Sequence, residues 1–508
     1  MRRAILILII LVALAFAVRL AVAFNTRIIS SDGPFYLNVA KDFAAGDYKA
    51  AFTKQTFHPL YPFLIALASN VISNWEWAGM LVSIILSALA VIPLYFIAKR
   101  YFNETVTVLA CLLYGFHPQG AQLSASIFTT GAFTCILLFT LWATIIALEK
   151  GSYRYFILSG LLSFIMYLAR PDGIVFAALA AVAVLINSRI SGERPKQSLF
   201  KISALLIPWL LLIPNIFIVN ALTGIFGLTG KVSGDTLAGM EMAKSFGGLY
   251  QFIVDFIKGA NPVLFILFII GGIWGHNAYC VKFPRKTLFI WLVFAGFILV
   301  FGLYSFADGR MSKRYTVPLF LIMMPWTAAG LYYIGEKISL KSANKIIWGI
   351  TILILAILSV FTFKPVGKDK VIEKTTGELL GKYHIERSDI GNRSPVIITT
   401  LSRIAYYAGG VSVMPEGWDK ANLQSGDFLQ ALKNTVQQRQ ADYLVLDSRI
   451  MRRFPGLEEQ ITPAFGHPPF RSPTGTKDGN GIKADYILPY LDCHGLDSYK
   501  VYRFSRRD

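Results

Sequence analysis

The chain is poor in charged residues for its length. Only 16% of its 508 residues are charged, whereas 55% are hydrophobic. Soluble domains carry about 25% charged residues, so much of this chain must face lipid or a core buried in lipid. The formal net charge is +19, but the basic residues form no single block. Many flank apolar runs, where lysine and arginine set orientation and meet anionic headgroups. Membrane lipid is therefore a predicted partner, and nucleic acid is not.

Several sequence signatures of soluble enzymes are missing. Cysteine occurs four times, at Cys111, Cys135, Cys280 and Cys493, with no CxxC or CxxH spacing. Neither a zinc site nor a redox pair is indicated. No GxGxxG follows a strand and no GxxxxGK[ST] occurs, which argues against a soluble nucleotide-sugar or ATP site. The first apolar run lacks an A-x-A cleavage site and is predicted to be a retained anchor.

What the chain has instead is a series of long apolar runs. A window of about 20 residues predicts a mostly α-helical, polytopic membrane protein with about 11 transmembrane helices. The runs 155–170 and 172–188 are short and could form a bent hairpin that does not fully cross the membrane. The predicted spans are 4–24, 79–98, 105–122, 131–148, 155–170, 172–188, 203–221, 261–277, 287–304, 315–334 and 345–363.

Charge between the runs predicts the orientation. With the N-terminus in the cytoplasm, all five inner loops are basic, as the positive-inside rule requires. The long loop 25–78 and the loop 305–314 then lie outside the cytoplasm. Transmembrane residues 1–364, with this outer loop 25–78, form the first predicted domain. The protein is expected in the cytoplasmic (inner) membrane, with its functional side extracytoplasmic.

Residues 365–508 form the second predicted domain, a small extracytoplasmic α/β domain. Charges are dense there and no run is long enough to span. Val396–Thr400 and Tyr443–Leu446 are predicted strands, and Ser402–Ala408 and the amphipathic Leu423–Gln438 are predicted helices. The segment 466–482 is rich in Gly, Pro, Ser and Thr and is predicted to be a mobile loop.

The first outer loop carries two candidate functional groups. Asp32 follows the first span closely, and His58 precedes the point where the chain re-enters lipid. A carboxylate at a membrane interface suits chemistry on a substrate anchored in the membrane. The alternative for Asp32 is structural, since Asp-Gly-Pro is good turn chemistry and the carboxylate could cap a helix near Pro34.

Four short motifs, in order, resemble the GT-C class of membrane glycosyltransferases. The similarity is to the bacterial branch related to dolichyl-phosphate-mannose protein mannosyltransferases and aminoarabinose transferases (glycosyltransferase family 39-like), and it covers roughly residues 1–335. The four matching stretches are Asp32-Gly33-Pro34-Phe35-Tyr36, the stretch Phe57–Pro62 resembling "hPPLyP", Ala169-Arg170-Pro171-Asp172-Gly173 resembling "RPeg", and Arg314-Tyr315 with Pro318 resembling "RYxxP".

The chain also departs from this pattern. Leu60 replaces the second proline of the Pro-Pro pair, and Gly33 stands where a second acid is usual. Many relatives carry Thr-Glu-Pro near the fourth span, where this chain has Thr129-Thr130-Gly131. The missing glutamate gives less support to a second carboxylate or a bound metal. No cofactor is assigned, and a divalent metal is left open.

The resemblance implies transfer of a sugar from a polyprenyl-phosphate donor, with inversion in a single displacement. Asp32 would be the catalytic base or a carboxylate that orients the acceptor, and the acceptor would be a protein, a lipid or a glycan. The predicted substrate-binding residues are Tyr36, His58, Arg170, Arg310, Lys313, Arg314 and Tyr315. A transporter or flippase of lipid-linked saccharides is the alternative function. It is less favoured because the candidate charges lie at the outer interface and no pair of similar halves is visible.

Simpler explanations remain open for several of these residues. His58 could be a histidine at the boundary between water and lipid, and Arg170 could pair with Asp172 or extend toward the membrane surface. Arg310, Lys313 and Arg314 could serve general attraction to anionic lipid. Arg19 could extend to the surface or point inward toward the phosphate. The glycine-rich stretch 222–260 could close over a donor or be a plain linker.

Overall fold

The structure, a computed structural model, divides into two compact units. It describes residues 2–53, 58–224, 246–276, 284–308, 312–338, 343–386, 393–415, 424–457, 459–461, 482–486 and 499–506. The membrane unit comprises Met1–Thr26 and Phe35–Val366, and the C-terminal unit comprises Arg27–Pro34 and Gly367–Asp508. The residues 27–34, predicted as part of the first domain's outer loop, thus group with the C-terminal part of the chain.

The membrane unit is built of helices. Seven helices in the described part of the chain are long and apolar enough to cross a bilayer, or eight if the bent pair Gly247–Ala260 and Pro262–Gly275 is one span. They agree with the predicted mostly α-helical, polytopic fold class. The seven are Arg2–Phe24, Trp75–Tyr101, Thr130–Lys150, Gly173–Ile190, Pro195–Thr223, Thr287–Phe306 and Asn344–Thr362.

Shorter helices complete the membrane unit. They are Gly33–Ala44, Tyr48–Thr53, Leu60–Ser69, Glu104–Gly115, Pro118–Ser124, Tyr153–Ala169, Val317–Leu321 and Met324–Ile338.

Three of the predicted spans, 105–122, 261–277 and 315–334, are broken or bent in the structure, and local chemistry explains two of the breaks. In the run 105–122, the helix ends at Gly115 and a new one begins at Pro118. Proline has no N–H to donate and clashes with the preceding turn, and the His117 side chain caps the new helix by accepting from Gly120 N at 2.9 Å. Pro262 likewise follows a bend of 92°, where Asn261 has a φ of +69°.

Arg19 points inward and joins three helices. Its side chain is fully buried, so extension to the membrane surface does not occur. The guanidinium donates to Ser87 Oγ at 2.7 Å and to the carbonyl oxygens of Ala15, Gly115 and Tyr114 at 3.0, 3.3 and 3.4 Å. A buried charge needs hydrogen bonds of this kind. Within the described chain, Arg19 therefore has a structural role, and the predicted site residues are not among these partners.

The C-terminal unit is an α/β fold around a five-stranded sheet. The strands are β1 (Val396–Ile398), β2 (Val411–Val413), β3 (Tyr443–Asp447), β4 (Ile482–Tyr486) and β5 (Tyr499–Arg506), in the order β2-β1-β3-β5-β4. β1 pairs in parallel with β2 and β3, whereas β5 pairs antiparallel with β3 and β4. The helices are Val371–Ile385, Ser402–Tyr407, Ser425–Arg439 and Ser448–Arg453.

The central strand β3 is buried on both faces, as its apolar sequence requires. Leu444 and Leu446 pack with the helix Ser425–Arg439. Tyr443 and Val445 pack on the opposite face with residues of the helices Val371–Ile385 and Ser402–Tyr407. The predicted helices and strands of this region are therefore present, with bounds that differ by a few residues. The predicted loop 466–482 lies almost wholly outside the described residues.

The segment Arg27–Pro34 constrains the membrane topology. Because it packs within the same compact unit as residues 367–508, it must lie on the same side of the membrane as that unit. The chain therefore crosses the bilayer an even number of times between Pro34 and Gly367. This agrees with an odd total that includes the first span, as the eleven predicted spans required.

Candidate active site

Asp32 lies at the end of a tight turn in the C-terminal unit. Gly33 N donates to Ser30 O at 3.1 Å, and the helix Gly33–Ala44 follows directly. The carboxylate is half-buried and accepts from Ser31 Oγ at 3.2 Å. The turn chemistry expected for Asp-Gly-Pro is thus present. It leaves the carboxylate partly accessible at the start of a helix.

Arg170 is held between two aromatic rings in the membrane unit. Its guanidinium carbon lies 4.5 Å from the ring centroids of both Phe133 and Tyr315, and the residue is 7% exposed. Pro171 disfavours helical backbone at the preceding residue, so the helix Tyr153–Ala169 ends and Arg170 is extended, with φ −158° and ψ 144°. The Arg170–Tyr315 contact brings together two predicted site residues from distant parts of the sequence.

Arg170 also forms an ion pair with Asp172. This is the structural alternative considered for Arg170. The pair has no net formal charge, and stacking between two rings restricts the guanidinium further. Arg170 is therefore a fixed group with its planar face covered. A phosphate bound nearby would draw its charge compensation mainly from other cations.

Arg314 is the neighbouring cation. Its guanidinium carbon lies 5.1 Å from the Tyr315 ring centroid and 5.4 Å from that of Phe128, and Nη2 donates to Tyr315 Oη at 3.4 Å. Arg314 is half-buried and Lys313 is exposed. Tyr315 thus contacts the guanidinium groups of both Arg170 and Arg314. The predicted site residue Arg310 is outside the described residues.

His58 joins the same group of residues. Its ring packs edge to face on Tyr167, with centroids 4.8 Å apart, and it is 8% exposed. Burial and the positive charge of Arg170 lower the pKa of His58 to about 4, although a hydrogen bond to the Tyr167 backbone opposes this shift. His58 is therefore neutral near pH 7. It can contribute a hydrogen bond to a substrate but no charge.

The low pKa of His58 predicts a dependence of stability on pH. The folded pKa lies below the ordinary value of 6.5, so stability is fully present above pH 6.5 and is lost as the pH falls toward 4. Between pH 7 and 5 this one group should cost about 2 kcal/mol of unfolding free energy. Thermal unfolding in detergent should show a smaller loss over this range for His58→Gln than for the native chain. Equal losses would contradict a neutral buried His58.

Tyr36 takes part in core packing. Its side chain is buried, at 4% exposure, and meets Tyr61 edge to face at 5.1 Å. Tyr61 is held in turn by Ser83 Oγ at 2.6 Å and by the carbonyl oxygen of Gly79 at 3.1 Å. This packing holds the helix Gly33–Ala44 in place at Tyr36, which lies one helical turn after Asp32. The predicted substrate contact of Tyr36 stays a prediction.

Four of the eight predicted site residues therefore come together in the membrane unit. We call His58, Arg170, Arg314 and Tyr315 the cation cluster, after its two arginines, since His58 is neutral near pH 7. Asp32 lies in the other unit. The aromatic partners Phe128, Phe133 and Tyr167 were not predicted. Of the glycine-rich stretch 222–260, residues 225–245 lie outside the described residues. Among the residues that are described, no three His, Cys, Asp or Glu side chains are grouped so that they could hold a metal ion.

Comparison with known proteins supports the resemblance seen in the sequence. Residues 55–218 match the family model of dolichyl-phosphate-mannose-protein mannosyltransferase, a stretch that includes His58 and Arg170. No curated protein sequence matches the chain.

Two solved structures share the fold over nearly the whole length. They are ArnT from Cupriavidus metallidurans bound to undecaprenyl phosphate, with a TM-score of 0.63 and 10% identity, and the same protein in the apo state, with 0.64 and 11%. Each comparison covers 97% of both chains. The predicted resemblance is thus confirmed: residues 55–218 match the protein mannosyltransferase family, and the whole chain is a multi-pass membrane protein with the fold of ArnT.

Proposed function

We propose that this protein is a membrane glycosyltransferase that moves a sugar from a polyprenyl-phosphate donor to an acceptor on the outer face of the cytoplasmic membrane. The observation that carries the proposal is the cation cluster, in which Arg170 and Arg314 both contact Tyr315 and His58 packs on Tyr167 near Arg170. The match of residues 55–218 to a family that uses a lipid-phosphate sugar supports it. So does the shared fold of ArnT, whose structure contains undecaprenyl phosphate.

The cation cluster suits a lipid phosphate. Arginine recognises phosphate through paired N–H donors, and the half-buried position of Arg314 strengthens such a contact relative to open water. Arg170, paired with Asp172, would fix Tyr315 and the geometry of the site. His58 would donate a hydrogen bond to a phosphate oxygen, and the exposed Lys313 would add a second mobile charge.

Asp32 would supply the base. In a single displacement, an acceptor hydroxyl oxygen forms a bond to the anomeric carbon while the bond from that carbon to the phosphate oxygen breaks. The hydroxyl proton passes to the Asp32 carboxylate, and the polyprenyl phosphate leaves with the bonding electrons, stabilised by the cations. Attack opposite the leaving group inverts the anomeric centre. The sugar can be a hexose or a pentose, and the acceptor a protein, a lipid or a glycan.

The flippase alternative places charge differently. A transporter carries ionisable groups near the middle of the bilayer, whereas Arg170 follows the end of the helix Tyr153–Ala169 and Arg314 precedes the helix Val317–Leu321. Arg170 is also held between Phe133 and Tyr315. The positions of both arginines at helix ends suit a binding site for a leaving phosphate, with Arg314 as the main source of charge compensation and Arg170 as a fixed part of the site.

A donor assay tests the proposed function. Purified protein would be incubated with radiolabelled undecaprenyl-phosphate monosaccharides (a hexose, a pentose and an aminopentose) and with total membrane extract as acceptor. We expect label to move from at least one of these donors, and no direct transfer from soluble nucleotide sugars. Donor that crosses a proteoliposome membrane without loss of its sugar would instead favour the flippase.

Thiol labelling tests the predicted side of the membrane. One new cysteine at a time, at the exposed positions Ser31, Ser312 and Ser191, would be placed in a background lacking Cys280 and Cys493. Cys111 and Cys135 are buried and can remain. A membrane-impermeant thiol reagent should label Ser31→Cys and Ser312→Cys in cells with a permeabilised outer membrane, and should not label Ser191→Cys. Labelling of Ser191→Cys with Ser31→Cys protected would invert the orientation, and the donor would then be met on the cytoplasmic face.

A further inference from the structure

The C-terminal unit contains a buried ion pair next to the segment that carries Asp32. Arg403 Nε donates to Glu373 Oε2 at 2.6 Å, and Arg403 Nη2 donates to Glu373 Oε1 at 2.7 Å. The two side chains are only 8% and 7% exposed. A buried pair of this kind is a weak source of stability, because desolvation offsets much of the attraction. Its contacts beyond the pair indicate what it does.

The helix Ser402–Tyr407 binds the backbone of the segment at three points. Arg403 Nη1 donates to Ile29 O at 3.4 Å, and Ile29 N donates to Tyr407 Oη at 3.4 Å. Ser402 Oγ donates to Ser31 O at 3.0 Å. Both backbone polar groups of Ile29 are therefore bonded to this helix, as is the carbonyl group of the residue directly before Asp32.

Apolar packing fixes the same segment. Ile28 and Ile29 are 4% and 2% exposed. Gly367, with a φ of +73°, lies against Ile28, and a side chain on this glycine would collide with the isoleucine. Gly377 brings the helix of Glu373 close to the helix of Arg403, since a Cβ atom there would lie 2.6 Å from Ile404 O. The residues before Asp32 are thus closely packed against the rest of the C-terminal unit.

We propose that Ser402, Arg403, Tyr407 and Glu373 are positioning residues for Asp32. Glu373 orients the Arg403 guanidinium, and the helix Ser402–Tyr407 holds the backbone at Ile29 and Ser31. These contacts fix the backbone of the turn that carries Asp32, and Ser31 Oγ donates a hydrogen bond to its carboxylate. The C-terminal domain is by this account part of the catalytic apparatus. The inference rests on the proposed function, in which Asp32 is the base.

Two hydroxyl groups can be removed without disturbing the ion pair. The Ser402→Ala/Tyr407→Phe double variant loses two of the three contacts with the segment and leaves Arg403 and Glu373 intact. Misplacement of a catalytic group by about 1 Å can cost up to 10²-fold in rate, so we expect kcat to fall about 10-fold while KM for the undecaprenyl-phosphate donor changes little. Ser402→Thr, which keeps a hydroxyl group, should retain most of the activity.

An ion pair elsewhere in the same unit provides the control. Arg393 pairs with Asp442, whose carboxylate also accepts a hydrogen bond from Val396 N at the start of β1. Arg393→Ala should lower thermal stability without lowering kcat. Arg403→Ala would leave the buried Glu373 carboxylate without its ion-pair partner and can unfold the domain. The test therefore uses the variants that remove hydroxyl groups.

A double-mutant cycle with Asp32→Asn decides between positioning and general destabilisation. If the helix acts through Asp32, the Ser402→Ala/Tyr407→Phe change should lower kcat in the native background and leave the residual kcat of Asp32→Asn unchanged. The same fractional loss in both backgrounds, or no loss in either, would overturn the positioning role while Asp32→Asn itself remains slow. A fully active Asp32→Asn would overturn the base assignment and the positioning role together.

Discussion

An Asp32→Asn variant should transfer sugar about 10²-fold more slowly than the native protein, or slower still. The amide has the size of the carboxylate and can still accept the hydrogen bond from Ser31 Oγ, which spans 3.2 Å in the native chain. It cannot take a proton from an acceptor hydroxyl. The expected loss is therefore in kcat, with protein yield and donor affinity preserved. Initial rates with the labelled donor and membrane extract, at several donor concentrations, separate these terms.

Asp47 offers a matched control for this substitution. It lies fifteen residues after Asp32 and has a plain structural role, since its Oδ1 accepts from Ala50 N at 2.9 Å at the start of the helix Tyr48–Thr53. Asp47→Asn should transfer sugar at nearly the native rate, because the amide oxygen can accept the same bond. Native turnover in Asp32→Asn as well would show that another group takes the proton.

The long membrane helices could be predicted because hydrophobicity alone determines them. An apolar run of about 20 residues has no alternative in a bilayer except to form a helix with its own hydrogen bonds satisfied. Breaks within a run depend on single residues. A window that averages 20 residues conceals His117-Pro118 and Asn261-Pro262, where one proline ends a hydrogen-bonding pattern. The cap at His117 and the φ of +69° at Asn261 show that the local sequence ends one helix and begins the next at both places.

The cation cluster could be predicted only in part. Arg170 and Arg314 were identifiable because basic residues on the outer side oppose the topological bias. The pairing of Arg170 with Asp172 was a recognisable alternative because the two residues are neighbours in sequence. No sequence feature indicated that Arg170 would stack on Phe133 and Tyr315, because both rings are distant from Arg170 in the sequence. Aromatic residues are common at every span end, and which of them meet is decided by tertiary packing.

The position of residues 27–34 shows a second limit of prediction from sequence. The segment directly follows a membrane helix, so its location in the chain suggests a loop of the membrane domain. Its hydrogen-bond partners Ser402, Arg403 and Tyr407 come more than 370 residues later. Within residues 27–34, the groups that make these bonds are backbone N–H and C=O groups. Such groups occur at nearly every position of a chain and carry no sequence signal. Residue types in 27–34 therefore could not reveal them.

Removal of the Arg314 guanidinium should weaken donor binding by about 1.5–3 kcal/mol, the usual effect of losing a hydrogen bond to a charged group. That is roughly a 10- to 150-fold rise in Kd. Undecaprenyl phosphate is a suitable probe, because it carries the phosphate and the lipid without the sugar. Its binding to Arg314→Ala would be measured directly by titration in detergent. Arg314→Lys should recover only part of the affinity, since lysine keeps the charge but loses the planar pair of donors.

Lys337 is a control of similar local chemistry. Its ammonium group lies 5.6 Å from the Tyr333 ring centroid, a cation over a tyrosine as at Arg314 and Tyr315, but in the helix Met324–Ile338 near a predicted inner loop. Lys337→Ala should bind undecaprenyl phosphate like the native protein. A change of affinity in Arg170→Ala is harder to assign to the phosphate contact, because this variant leaves Asp172 without its ion-pair partner and can destabilise the fold. Unchanged affinity in both Arg314→Ala and a folded Arg170→Ala would place the phosphate outside the cation cluster, and the leaving group would then need other cations.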